Sequence, residues 1–260
     1  MVVIDALRDT VSLLRRQPVL FVPMAVFGLL QAPQLFVNTL NPIVSIAGSL
    51  LLTVVFAFVT PVFYGGAIGM ANDAAAGNRT SLGRFWTHAK SNYLSVLGGY
   101  LLLLAISFAF SLVISIGATA AFVVVLGSEA GLAVTIAVGA IVAVVVLLYF
   151  VAMFTLHFYA HAIVIEDYGA TGALSRSVSV VRHNLSPVFG YGVLSLLFSG
   201  LTGAVYGLLV AIVFPTGAPG QPMPTPGIVP AVLVSICVLV ATAVLGTFFV
   251  VFSVTLYRSL

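Results

Sequence analysis

Charge is scarce in this chain. Only 6% of its 260 residues are Asp, Glu, Lys or Arg, against roughly 25% in soluble domains. With 62% of the residues hydrophobic, no water-soluble fold of this size could hide its apolar surface. Cysteine is nearly absent: Cys237 is the single one, set in an apolar run. That excludes an intramolecular disulfide and makes a buried free thiol its ordinary role. Catalytic signatures are missing too. There is no HExxH, no GxSxG, no phosphate-binding loop and no dinucleotide fingerprint, so neither an enzyme nor a cofactor is expected. The apolar runs carry no Asp, Glu, Lys or Arg at membrane depth, which counts against proton-coupled transport. The formal net charge is only +3, and no nucleic-acid partner is expected.

What the chain does have is length between charges. Charge-free intervals run from Gln17 to Asn72, Ser91 to Ser128, Ala130 to Ile165 and His183 to Tyr257. A spanning helix needs about 20 apolar residues. The first and last intervals therefore hold two spans each and the middle two hold one each. This predicts an all-α polytopic bundle of six helices in one integral membrane domain, residues 1–260. The spans are near Val19–Val37, Ile43–Met70, Tyr93 onward, Leu132–Ile165, Val188–Phe214 and Ile228–Tyr257. Pro23, Pro33 and Pro61 are expected to kink or break their helices. Asn38 to Pro42, Gly127 to Gly131 around Glu129, and the Pro- and Gly-rich stretch 215–230 read as outer turns and loops. At 1.5 Å per residue the fourth span would be about 50 Å long, so its last turns should extend beyond the membrane.

The organising stretch is Ala173 to Asn184, ALSRSVSVVRHN. Leu174, Val178, Val181 and Leu185 fall on one helical face, with Ser175, Arg176, Ser179, Arg182 and His183 mostly opposite. Such a helix would lie at a membrane surface. Shifted back by 167 residues, Ala6, Leu7, Val11, Ser12, Leu14, Arg15 and Gln17 match this stretch. Shifted back by 92, Leu82, Arg84, Trp86, Lys90 and Asn92 match it. The reading is a three-fold repeat of a surface amphipathic helix followed by a membrane hairpin, in units of about 1–72, 73–165 and 166–260.

All nine Lys and Arg fall on one side of the six-span topology and only Glu129 on the other. The bias places both termini in the cytoplasm of a multi-pass plasma-membrane protein. Arg15-Arg16 before an apolar run also resembles a twin-arginine export signal, but no small-residue cleavage site stands out after it. Eight of the nine cations are arginine, and with abundant Ala, Val and Gly this composition suggests a GC-rich, archaeal or actinobacterial genome.

Two function classes follow. The first is a non-enzymatic protein that binds lipid or a partner through its cytoplasmic helices, with Arg15, Arg84, Lys90, Arg176 and Arg182 as a lipid-headgroup site. Membrane lipids are the expected partners, alongside a membrane-protein partner or a second copy of the chain. The alternative is a small-molecule or lipid transporter with a path between the hairpins. Helix packing is expected at the small-residue pairs Gly65/Gly69 and along Ser195, Ser199, Gly203 and Gly207, with Gly203 in closest contact. His157 and His161 have the i, i+4 spacing of metal ligands. No accompanying acid or cysteine motif completes a site, so no metal is assigned.

The unit A-L-x-x-x-V-S-Φ-Φ-R at 6–15 and 173–182, the run IVIEDYGATGALSRS and the six apolar spans together resemble a broad group of uncharacterised, haloarchaeal-type prokaryotic membrane proteins. That group is similar to the membrane domain attached to glycerophosphodiester phosphodiesterases. The catalytic domain of that architecture has no counterpart in these residues. The resemblance therefore implies a membrane domain, and it implies neither hydrolase activity nor catalytic residues.

Overall fold

The computed structural model describes residues 2–37, 41–127, 132–213 and 228–260. Asn38, the turn around Glu129 and residues 215–227 of the Pro- and Gly-rich stretch lie outside the described residues. Every regular element among the described residues is helical. Helix α1 (Val2–Arg16) leads through a single 3-10 turn, Pro18–Leu20, into α2 (Phe21–Val37). Then follow α3 (Pro42–Ala75), α4 (Leu82–Gly127), α5 (Leu132–Thr155), α6 (Tyr159–Glu166), α7 (Ala170–His183) and α8 (Leu185–Val213). Last come α9 (Ile228–Ala241), one π-helical segment Thr242–Gly246, and α10 (Thr247–Ser259).

Five helical stretches are long and apolar enough to cross a membrane: Pro42–Ala75, Leu82–Val123, Val134–Glu166, Leu185–Ala204 and Val232–Ser259. A sixth is added if α1 and Pro18–Gln34, which meet at a bend of 99°, count as one broken span. Such a set of helices is consistent with a multi-pass membrane protein. The accessible surface of 15068 Å² fits this, since a compact soluble monomer of 27.1 kDa would expose roughly 10,900 Å².

Local chemistry explains most boundaries. The Asn41 side chain caps α3 by accepting from the Ile43 N–H at 3.0 Å, and Pro42 occupies the first helical position, where its missing N–H costs nothing. The α3–α4 turn needs a left-handed residue, and Gly77 supplies it with φ 81°. Ser81 then caps α4, accepting from Arg84 N–H at 3.3 Å. Asp167, at φ 59°, closes α6.

Three features depart from the sequence expectation. First, of the two outcomes expected at the prolines, a break does not occur: α2 and α3 continue through Pro33 and Pro61. Second, the Leu82–Asn92 segment is no separate surface helix. It forms the first turns of α4, which runs unbroken for 46 residues, because no Gly or Pro stands where a surface helix would have to end. Third, the fourth apolar stretch, although one candidate span over Val134–Glu166, is not helical without interruption to Ile165. It breaks at Leu156–Phe158, after the 24 residues of α5, about 36 Å. The cause lies in α7: the Ser177 hydroxyl donates to Thr155 C=O at 2.8 Å and accepts from Phe158 N–H at 3.0 Å. A buried side chain thus takes over backbone groups that the helix would otherwise pair.

Packing is concentrated at the end where the charges lie. The short α6 is buried from Tyr159 to Val164, and its one buried imidazole, His161, has Ser253 Oγ at 2.9 Å. Around the helix stand Ile68 and Met70 of α3, Val96 of α4, Val181 of α7, Val188 and Tyr191 of α8, and Phe252 and Leu256 of α10. Phe158, Tyr191 and Phe252 join His157, His161 and Tyr257 in one aromatic cluster. Toward the far ends of the helices the large apolar side chains are exposed, as at Leu50, Phe108, Ile141 and Leu201.

Candidate functional site

The charged end is a layer of polar contacts that ties helix ends together. At the end of α3, Asp73 accepts from Arg84 Nε at 2.8 Å and Nη2 at 3.1 Å, and its Oδ2 lies 2.9 Å from His88 Nε2. At the end of α6, Glu166 accepts from Arg176 Nε at 2.8 Å and Nη2 at 3.1 Å. The Tyr257 hydroxyl donates to the same carboxylate at 2.7 Å. Both are bidentate fork-to-fork pairs, the strongest common geometry for a guanidinium and a carboxylate. The hydrogen bonds to Glu166 hold the Arg176 guanidinium above its ordinary pKa. The next residue of α10, Arg258, donates from Nη1 to Asn72 Oδ1 at 2.6 Å. The C-terminal turn of α10 therefore touches both acidic junctions. The Gln17 amide adds a fourth tie, donating to Asn78 C=O at 2.8 Å and accepting from Thr80 N–H at 2.9 Å.

This layer divides the five cations expected at a lipid site. Arg84 and Arg176 are matched by carboxylates of the same chain, so their charge is compensated internally. Arg15, Lys90 and Arg182 are exposed and donate no hydrogen bond within the described residues. These three are one position of the sequence pattern: Arg15 is 167 residues, and Lys90 92 residues, before Arg182. Arg84 and Arg176 are likewise 92 residues apart. The acids were missed in the sequence reading, although Asp73 and Glu166 each precede their arginine by ten or eleven residues.

The sides that α1, α7 and the start of α4 turn to the rest of the protein are distinct from the apolar face read in the sequence. In α7 the protein-facing residues are Ala173, Ser177, Val180 and Val181, whereas Leu185 is exposed. In α1 they are Ala6 and Thr10, and in the first turns of α4 Phe85 and Ala89. Each contact side includes at least one small residue, Ala173 and Ser177 in α7, Ala6 and Thr10 in α1 and Ala89 in α4, which admits a close neighbour. Thr10 stands 167 residues before Ser177; it donates to Ala6 C=O at 2.7 Å and lies 3.0 Å from the Thr255 hydroxyl of α10.

The remaining candidates separate. Gly65 and Gly69 lie where α3 meets α4: a Cβ on Gly65 would have Val96 at 3.7 Å, and one on Gly69 would collide with the His88 ring. In α8 the geometry is different. Ser195 is half-buried while Ser199, Gly203 and Gly207 are exposed, and nothing lies within 4 Å of a Cβ placed on Gly203 or Gly207. The close contact expected at Gly203 is therefore absent among the described residues. His157 and His161 bond to different partners. His157 Nε2 lies 3.0 Å from the Tyr191 hydroxyl and His161 Nε2 lies 2.9 Å from Ser253 Oγ. Among the described residues no three His, Cys, Asp or Glu side chains come together as metal ligands.

No curated protein and no solved structure matches this chain. One family profile does, described as a domain of unknown function, DUF7847, and it covers residues 1–260. The chain thus belongs to the DUF7847 family.

Proposed function

We propose that this is a non-enzymatic integral membrane protein of six spans, built from three units. Its cytoplasmic helices hold anionic lipid headgroups at Arg15, Lys90 and Arg182. In this reading α1 and Pro18–Val37 are not one broken span: α1 lies along the cytoplasmic leaflet and the apolar segment after the 99° bend crosses as the first span. Both termini are then cytoplasmic, in the plasma membrane, as the sorting of the cations requires. The kinship with haloarchaeal-type membrane domains associated with phosphodiesterases belongs to the same proposal.

One observation carries the reading. Of the two cation positions that recur in the pattern, one is paired with a carboxylate of the same chain and the other is exposed without such a partner among the described residues. A structural role is served by the first, at Arg84 and Arg176. The second, at Arg15, Lys90 and Arg182, has no such role, and each cation near an anionic surface contributes about 1 kcal/mol before screening by salt. Native mass spectrometry of the full chain with phosphatidylglycerol tests it. Replacing Arg15, Lys90 and Arg182 together by Gln should lower lipid retention by at least roughly tenfold; unchanged retention would refute the headgroup role. Impermeant thiol labelling of cysteines placed at Gly131 and Gly220, in a Cys237-free chain, tests the orientation and should succeed only from outside.

A further inference from the structure

A cavity of about 450 Å³ opens at the charged end between α1, the end of α3 and the end of α10, and it is lined by Asp9, Ser12, Arg16 and Arg258 among others. Its volume is that of a small-molecule site. Its position in the sequence pattern is unusual. Arg258 stands 92 residues after Glu166, and Asp9 stands 167 residues before Arg176. These are the two places that form a bidentate ion pair at the α6–α7 junction, with the charges exchanged. At the α3–α4 junction Asp73 and Arg84 close in the same way. At the α10–α1 junction the acid and the arginine are both present, yet no ion pair joins Asp9 to Arg258. The cavity lies where that pair would be. Arg258 instead turns one nitrogen to Asn72, and a second guanidinium, Arg16, lines the same space.

Two junctions are thus closed by their own salt bridge and one is left open with its charges apart. A single group that ion-pairs with both the carboxylate and the two guanidiniums carries an ammonium and an oxyanion. One guanidinium suffices to pair a carboxylate; two arginines match the several oxygens of a phosphate. We propose that the α10–α1 cavity binds a zwitterion with a primary ammonium and a phosphate, the phosphate held by Arg16 and Arg258 and the ammonium by Asp9. Phosphatidylethanolamine and soluble phosphoethanolamine share this chemistry. The site is separate from the exposed cations Arg15, Lys90 and Arg182, and it selects for the ammonium, which those cations cannot do.

The test is native mass spectrometry of the full chain in non-ionic detergent with equimolar phosphatidylethanolamine and phosphatidylglycerol. Asp9→Asn is the primary variant, because Asp9 is exposed and makes no hydrogen bond within the described residues, so the fold does not depend on it. Asp9→Asn should lower the ratio of retained phosphatidylethanolamine to phosphatidylglycerol about fivefold. Arg16→Gln and Arg258→Gln should each lower phosphatidylethanolamine retention, with Arg16→Gln independent of the Asn72 contact. The source of the group is read by a second arm. Stabilisation of the lipid-free chain by soluble phosphoethanolamine, lost in Asp9→Asn, identifies a soluble zwitterion; retention of the lipid without such stabilisation identifies the headgroup. A ratio that Asp9→Asn leaves unchanged, together with no thermal shift from phosphoethanolamine, would overturn the proposal. The Gln variants at Arg15, Lys90 and Arg182 change phosphatidylglycerol retention alone, so failure of that reading is separable from failure of this one.

Discussion

At the charged end, Gly66 of α3 faces the Phe85 ring and Gly69 faces the His88 ring so closely that a Cβ fits at neither. In α8, Gly200, Gly203 and Gly207 face nothing within 4 Å. The same contrast holds for the large side chains. Phe158 is fully buried beside α6, whereas Phe108, toward the far end of α4, is 72% exposed. It holds for hydroxyls as well: Ser177 reaches across to a broken helix, while Thr202 bonds only to Phe198 C=O, four residues back in its own helix. Residue type alone therefore does not decide role. In water, apolar residues would be driven together along the whole length of the helices. In a bilayer, lipid solvates them as well as a neighbouring helix does, and close packing and polar ties hold the bundle instead. Among the described residues the ion pairs are all at one end, and only scattered single hydrogen bonds, such as Gln34 to Ser49, join the helices elsewhere.

This contrast can be broken by paired substitutions, compared by thermal unfolding in one detergent. The largest difference is expected for the phenylalanines: Phe158→Ala should cost about 3–5 kcal/mol, and Phe108→Ala should stay within about 0.5 kcal/mol of the parent. Similar losses at both would mean that the far halves also pack. Next come the glycines. Gly69→Leu should cost about 3 kcal/mol, the upper part of the overpacking range, because the His88 ring is held by Asp73 and cannot withdraw freely. Gly203→Leu should be silent. This ordering reverses what the small-residue stripe of α8 suggests on its own, and a strong effect at Gly203 would reveal a second chain seated there. Ser177→Ala should cost about 2 kcal/mol, since it orphans Phe158 N–H and Thr155 C=O; Thr202→Ala should cost less, and equal values would remove the case that Ser177 sets the α5–α6 break. The smallest expected effect is that of Tyr257→Phe, about 1 kcal/mol for one hydrogen bond to Glu166, read as a small fall in melting temperature.

The parts of this structure that were legible in the sequence are those set by composition over a local window. The charge-free intervals cover most of the long apolar helices. What was not legible depends on residues far apart in the chain. No Pro or Gly marks Leu156–Phe158; the break there comes from Ser177, some twenty residues later, competing for backbone groups. The unbroken course of α4 was missed for the opposite reason, since a polar segment followed by an apolar one reads as two helices even where nothing ends the first. The role of the cations was half legible. Their recurrence showed in the sequence, but Arg84 and Arg176 look identical to Arg15 and Arg182 until Asp73 and Glu166 are placed against them. A second recurrence, of an acid ten or eleven residues before an arginine, was present and would have separated the two positions.

The central claim is that the two recurring cation positions do different work. It is tested most directly by measuring two quantities on two variants of the full chain: the melting temperature, and the retention of phosphatidylglycerol by native mass spectrometry. Replacing Arg15, Lys90 and Arg182 by Gln should lower lipid retention and leave the melting temperature near that of the parent. Replacing Arg84 and Arg176 by Gln should lower the melting temperature while the folded fraction keeps its lipid. If both variants lose lipid to the same extent, or if the first melts as low as the second, the two positions are not distinct and the account is contradicted.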